Sequence, residues 1–301
     1  SKITSKTKAI ISVDIAGLPC HFNELQVIVK DPQIQSQFVP ASDRQSTLGR
    51  ILLVSDAAHS IGAYYDGLPA SLKSDITIFS FHAVKNITTA EGGSICLNLP
   101  PEFNNQDEYN FLKLFSLNGQ NKDAFAKSNG ANWKYDILFK GFKMNMPDIC
   151  AAIGLAQIRQ YNNTLLPQRK NVFQKYCNSF KLYSWFIEPI YKDQNRESSY
   201  HLFPLRIKDI SESQRDKIIE ELVNKGVMVN VHFIPMPMLT YFKSIGYDID
   251  QFPNSYKQYA CEISLPIYPQ LSDSEVEYII EAVVEAVQTI NPVEEVVKVL
   301  F

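Results

Sequence analysis

No apolar stretch in these 301 residues approaches the roughly 20 needed to span a bilayer. The opening, SKITSKTKAI, lacks the hydrophobic core of a secretory signal. Basic runs are missing as well: 29 Lys and Arg stand against 32 Asp and Glu for a formal charge of -3. That leaves no electrostatic footprint for nucleic acid. Cysteine is scarce, odd in number and scattered (Cys20, Cys96, Cys150, Cys177, Cys261), without the CxxC or Cys/His spacing of a zinc site. Free thiols in a reducing cytoplasm are the expectation, with no metal. Repeats and low-complexity tracts are also wanting. What remains is ordinary globular material, 45% apolar and 20% charged, enough for one large core or two smaller ones.

The first half alternates short apolar runs with helical or loop segments. KAIISVDIA (8–16), RILLVSD (50–56), ITIFSF (76–81) and GSICLN (93–98) are β-rich and too short for buried helices, so they read as strands. FNELQVIVK (22–30) reads as a helix, and DPQIQSQFVPASDRQ after it as a surface excursion. This alternation favours a buried α/β sheet. PDICAAIGLAQIRQY has helical spacing from Asp148 to about Tyr161, with Pro147 suited to the first turn, and a second helix is expected over roughly 164–182.

In the last third, SESQ (211–214) and SDSE (272–275) are capping-box sequences. Each precedes an apolar face: Ile218, Ile219, Leu222, Val223 in one helix and Val276, Ile279, Ile280, Val283 in the other. Gly226 ends the first of them. With strands at SYHLFPLRI (199–207) and VMVNVHF (227–233), this part reads as a smaller α+β unit.

Ligands of open α/β sheets sit outside the carboxyl ends of the strands. Asp56 closes one such strand, Ser80 lies near the end of another, and Lys85 follows in the loop HAVKN. Singly these are commonplace: most loop lysines are solvated, and an Asp or Ser at a strand end more often makes a local turn. Together they form a set that pyridoxal phosphate requires, a lysine to bond it, an acid for its pyridine nitrogen and a donor for its phosphate.

SDAAHSIGAYYDG (55–67), followed by DITIFSFHAVKNITTAEGGSICLN (75–98), closely resembles the cofactor-binding core of the DegT/DnrJ/EryC1/StrS sugar aminotransferases. TKAIISVDIAGLPC (7–20), GFKMNMPDICAAIGLAQI (141–158), VNVHFIPMP (229–237) and ISLPIYP (263–269) extend the resemblance in the same order over nearly the whole chain. It implies an α/β chain of PLP-dependent transferase fold type I. A mixed, mostly parallel sheet with helices on both faces would occupy 1–163 as part of a large domain. A linking helix and a small C-terminal α+β domain would occupy 164–301.

The resemblance also implies pyridoxal 5'-phosphate as cofactor, with Lys85 as the lysine that bonds it and Asp56 as the acid at its pyridine nitrogen. His59 stands at the position against the cofactor ring and Ser80 at the hydroxyl that donates to the phosphate. Lys143 departs from the family's asparagine, which reaches the neighbouring subunit's phosphate across a dimer interface; either Lys143 or Asn145 takes that place. His232 falls near the family's sugar-nucleotide pocket, though a structural histidine fits equally well, as does a purely structural role for Glu91, Gly92 and Gly93.

The implied reaction moves an amino group from glutamate to a nucleotide-linked keto sugar, in a cytoplasmic homodimer with shared sites. A sugar 3-dehydratase on the same scaffold has histidine in place of Lys85; a non-catalytic or truncated PLP-binding relative is the other alternative. The family's phosphate-gripping segment, expected ahead of TKAIISV, has no match here, so the sequence is expected to lack the N-terminal part of the large domain.

Overall fold

The computed structural model describes residues 2–121 and 134–292. The chain divides into two compact units: residues up to Ile15 together with Pro19–Arg159, and Ala16–Leu18 together with the chain from Gln160 onward.

The first unit is built on four strands, β1 (Ala9–Val13), β2 (Leu52–Asp56), β3 (Ile76–Ser80) and β4 (Gly93–Leu97), in that spatial order. The first three run parallel and β4 returns antiparallel to β3, giving the mixed, mostly parallel sheet expected. Because side chains alternate along a strand, each face has its own set. Ile10 and Leu53 pack with Phe22, Leu25 and Tyr65 on the side of α1 (Phe22–Lys30). On the opposite face Ala9, Leu52, Ile76 and Leu97 line an apolar cavity with Leu48, Phe111 and Leu112, residues of α3 (Asp43–Leu48) and α4 (Asn105–Phe115).

The stretch after α1 is not simple surface chain. Asp31 accepts from the Gln33 and Ile34 amides to start the short α2 (Pro32–Gln35), and Ser42 caps α3. Both are side-chain caps of a kind a polar sequence readily hides. The helix foreseen from Asp148 is α5 (Asp148–Gln160). Pro147 stands just ahead of its first turn rather than in it, and its carbonyl accepts the Ala151 amide.

A π-helical turn, Tyr161–Leu165, leads into α6 (Leu166–Phe180) in the second unit. There a three-stranded antiparallel sheet, β5 (Phe186–Ile187), β6 (Phe203–Ile207) and β7 (Glu262–Leu265), has β6 at its centre. Both capping boxes form: Ser211 opens α7 (Glu212–Asn224) and Ser272 opens α8 (Asp273–Ile290). Gly226, at φ 76°, follows the end of α7 in the left-handed region that glycine enters without strain. Phe173, Tyr176, Phe180, Trp185 and Phe203 form the aromatic centre of this core, with Phe173 and Phe203 ring centroids 4.8 Å apart.

Two expectations for this unit are corrected. The strand from 199 begins only at Phe203, because Ser199 and Tyr200 turn away, Tyr200 at φ 55°. VMVNVHF is not a strand: among the described residues its one ladder contact is the bridge between Asn230 and Ser264. Its alternation is real, but Pro235 and Pro237 follow at once, and only Asn230 meets β7.

Candidate active site

Asp56 ends β2, and register places it in one cross-strand row with Val13, Ile78 and Ile95. Its carboxylate accepts the Ala58 amide at 3.2 Å. The turn beyond it is pinned at each end: Ala57 N–H donates to Ile78 O at 2.8 Å and Ser60 N–H to Ala57 O at 3.0 Å. His59 is carried on this turn and buried, at 9% exposure.

Lys85 lies in the connection between β3 and β4, a loop tied to itself and to the sheet. Phe81 N–H donates to Gly92 O at 2.8 Å, Thr89 N–H to Phe81 O at 2.9 Å, and Lys85 N–H to His82 O at 3.0 Å. The Thr88 hydroxyl donates to Phe81 O and accepts the Ala90 amide, while the Thr88 amide donates to Gln157 of α5 at 2.9 Å. Gly93 is required by close approach: a Cβ there would lie 2.6 Å from Phe79 O. Asn86, Ile87 and Thr89 are buried beside Lys85.

Partial burial pushes the Lys85 amine below the ordinary lysine range, and the nearby Asp56 carboxylate pulls it partly back. The amine and the carboxylate foreseen from sequence are therefore close enough to feel one another's charge. Ser80, paired with Gly93 across the β3–β4 ladder, accepts the His82 amide on its hydroxyl oxygen at 3.3 Å. Asp56, His59, Ser80 and Lys85 all lie beyond or at the carboxyl ends of parallel strands, where α/β sheets place their ligands.

The other candidates belong to later segments of the chain. Lys143 and Asn145 are exposed, and Lys143 bridges Leu117 in an extended segment ahead of α5. His232 belongs to the second unit, where its Nδ1 lies 2.8 Å from Ser264 Oγ and its amide donates to Glu262 at 3.0 Å. Ser264 Oγ in turn donates to Glu262 at 2.5 Å. Glu262 is 4% exposed, and burial pushes its carboxyl up to about 7 against the hydrogen bonds from Ser264 and His232 and the charges of Arg215 and Arg206.

Sequence reasoning passed over the threonines of the lysine loop, Gln157 and Glu262. It also passed over Asp14. This residue is 1% exposed, directly follows β1 and gives its amide to Asp56 O at 3.0 Å. In the sequence Asp14 sits inside the run read as strand from 8 to 16, and only the structure, which ends β1 at Val13, sets it at a strand end as it does Asp56. Among the described residues no cluster of His, Cys, Asp and Glu could hold a metal ion, and no helix is long and apolar enough to cross a membrane.

An amine, a carboxylate, an imidazole and a hydroxyl thus lie at one rim of a mostly parallel α/β sheet, and comparison with known proteins says in which family such a chain falls. The DegT/DnrJ/EryC1/StrS aminotransferase family matches residues 41–284. Spr1654 of Streptococcus pneumoniae, assigned as a sugar aminotransferase and solved in its PMP form, superposes with a TM-score of 0.89 at 40% identity. That match covers 96% of this chain and 71% of that one. The same protein in its PLP form gives a TM-score of 0.88 at 38% identity, covering 96% and 70%.

SpsC of Bacillus subtilis, a spore coat polysaccharide biosynthesis protein, is 30% identical over 95% of this chain and 68% of its own length. A UDP-4-amino-4,6-dideoxy-N-acetyl-beta-L-altrosamine transaminase of Campylobacter jejuni is 26% identical over 90% of this chain and 63% of its own. The chain belongs to the DegT/DnrJ/EryC1/StrS aminotransferase family. It spans about two thirds of the length of these relatives.

Proposed function

We propose that the chain is a pyridoxal-phosphate-dependent aminotransferase that converts a nucleotide-linked keto sugar into an amino sugar, with glutamate as donor, in polysaccharide or glycan synthesis. The observation that carries this reading is the placing of Asp56 at the end of β2 and of Lys85 in the loop after β3 at one rim of the sheet, where the partly desolvated amine feels the Asp56 charge. The donor set fits the cofactor in kind: a nucleophilic amine of lowered basicity, an acid, a hydroxyl and a buried imidazole. When bound, pyridoxal phosphate supplies an electrophilic carbonyl and a ring able to take up an electron pair.

The chain's own residues then have distinct tasks. Lys85 would hold the cofactor, and its Nζ would carry the proton that leaves the substrate carbon. A lysine does this only when burial lowers its basicity toward neutrality. Asp56 would hold the proton of the pyridine nitrogen, His59 would lie against the ring and Ser80 would serve the phosphate. His232 is assigned to the nucleotide-sugar side. Lys143, or Asn145 beside it, is assigned to the phosphate held by a second copy of the chain, so the active form is a homodimer with shared sites. Residues 1–163 would hold the cofactor and 164–301 the smaller domain. The five free cysteines suit a reducing cytoplasm, where nucleotide sugars are the expected substrates. That substrate class rests on the Campylobacter jejuni relative, which acts on a UDP-linked amino sugar.

Replacing Lys85 by alanine tests the reading. The variant is expected to keep its far-UV circular dichroism, to lose the visible absorbance of covalently held pyridoxal phosphate, and to lose transamination of glutamate by at least about a thousandfold. A Lys85→Ala protein that keeps the absorbance and the turnover would dismiss it.

A further inference from the structure

We propose that Asp14 is a positioning residue that fixes Asp56 and the turn carrying His59, and thereby sets how tightly the chain holds its cofactor. This rests on the functional reading above. Besides the Cys20 thiol, which also favours its charged form, the Asp14 carboxylate accepts from the Cys20 amide at 2.9 Å, Ser55 Oγ at 3.0 Å and Ser60 Oγ at 2.7 Å. Ser55 immediately precedes Asp56 and Ser60 immediately follows His59, so one carboxylate grips the chain on either side of both site residues. The Asp14 amide adds a further tie, to Asp56 O. The carboxylate's bonds are additional to the sheet, whose ladder pairs Val13 with Asp56 and already includes the bond from the Asp14 amide.

Burying a carboxylate is expensive unless it is fully hydrogen-bonded. Here burial raises the Asp14 pKa while the Cys20 amide and the two serine hydroxyls oppose the rise. An apolar residue would fill this space at less cost. It would leave Ser55 and Ser60 without their acceptor and the turn free to shift. Since misplacing a reacting group by about an ångström can cost a hundredfold, the gain from the carboxylate lies in precision at Asp56 and His59.

Asp75 provides a matched control. It is also buried and serves three donors, two from Arg50 at 2.8 and 2.7 Å and the Leu53 amide at 2.8 Å. It sits at the opposite end of the sheet, just before β3.

The experiment compares Asp14→Asn, Ser60→Ala and Asp75→Asn in the full chain. It measures pyridoxal phosphate affinity by absorbance titration, the pH midpoint of the bound cofactor's visible band, and the melting temperature without cofactor. Asp14→Asn is expected to weaken binding about tenfold or more and to move the band's midpoint, with Ser60→Ala showing a smaller loss in the same direction. Asp75→Asn is expected to lower the melting temperature at least as much while affinity and midpoint stay at the wild-type values.

Wild-type affinity and midpoint in Asp14→Asn would overturn the proposal, and so would an equal loss in Asp75→Asn. Should Asp14→Asn fail to fold, Ser60→Ala decides by the same two readouts. Lys85→Ala and Asp56→Asn separate this inference from the reading beneath it. If both behave as wild type the functional reading fails; if both are impaired and Asp14→Asn is not, only the positioning role fails.

Discussion

At the scale of single residues, the site and Glu262 show carboxylates put to different uses by their surroundings. Glu262 is buried, with its carboxyl pushed up to about 7, so the folded protein holds a proton there that the unfolded chain has already released at lower pH. Stability from this group is therefore greatest in acid, falls as pH rises from about 4.5 to about 7, and is level above that. The fall amounts to about 3 kcal/mol on the basis of roughly 1.36 kcal/mol per pKa unit. Urea unfolding between pH 4.5 and 8 is expected to show this loss in the wild type and to lack it in Glu262→Gln. Equal slopes in the two proteins would mean that Glu262 is ionised in the folded state at every pH tested. From sequence Glu262 was unremarkable: neither spacing nor composition says that a glutamate is buried. Lys85 and Asp56 were legible because each closes or follows an apolar strand run, and the resemblance supplied their roles. Asp14 was missed because its run was read as strand as far as Ala16, which placed it inside the strand, whereas the strand ends at Val13.

At the scale of elements, legibility followed local signals. Both capping boxes, the glycine after α7 and three strands of the first sheet form where the sequence places them, since caps and short β-branched runs act within a few residues. The strand β1 stops at Val13, three residues short of the run read from 8 to 16. VMVNVHF failed because its fate depends on a partner distant in sequence: β7 pairs fully with β6 and offers Asn230 a single bridge. The apolar face of α7 was read one residue too wide. Leu222 is fully buried, whereas its neighbour Val223 is 44% exposed. Truncating Leu222 to alanine is expected to cost about 2–5 kcal/mol of stability, and Val223→Ala no more than about 0.5 kcal/mol. Denaturant titration of the two variants checks both the face and its edge, and comparable losses would place Val223 in the core.

At the scale of the whole molecule, the proposed dimer makes a prediction that no single chain can. If Lys143 serves a neighbour's cofactor, chains carrying Lys85→Ala and Lys143→Ala are each inactive alone. Mixed under conditions of subunit exchange, they are expected to regain about a quarter of wild-type activity, because half the sites lie in heterodimers and one of the two sites there has both residues intact. No recovery, with exchange demonstrated by mass, would put Lys143 in its own subunit's site or outside it. Sequence patterns of one chain could not reveal such a contribution; only the resemblance raised it.

The division of the chain carries a consequence for its order of assembly. Ala16–Leu18 belongs to the second unit although it is synthesised among residues of the first. Gly17 O accepts the amide of Ser199, a residue with 0% exposure. The ribosome therefore delivers one end of this bond long before the other, and the second unit has a complete backbone only when an early triplet is joined to a late segment. A polypeptide beginning at Gln160 would lack the Gly17 carbonyl that accepts the Ser199 amide, a loss of about 1–3 kcal/mol. Adding a peptide of residues 9–21 to that fragment is expected to slow Ser199 amide hydrogen exchange, while a peptide of residues 22–34 leaves it unchanged. Exchange equally slow without either peptide would show that the late segment closes by itself.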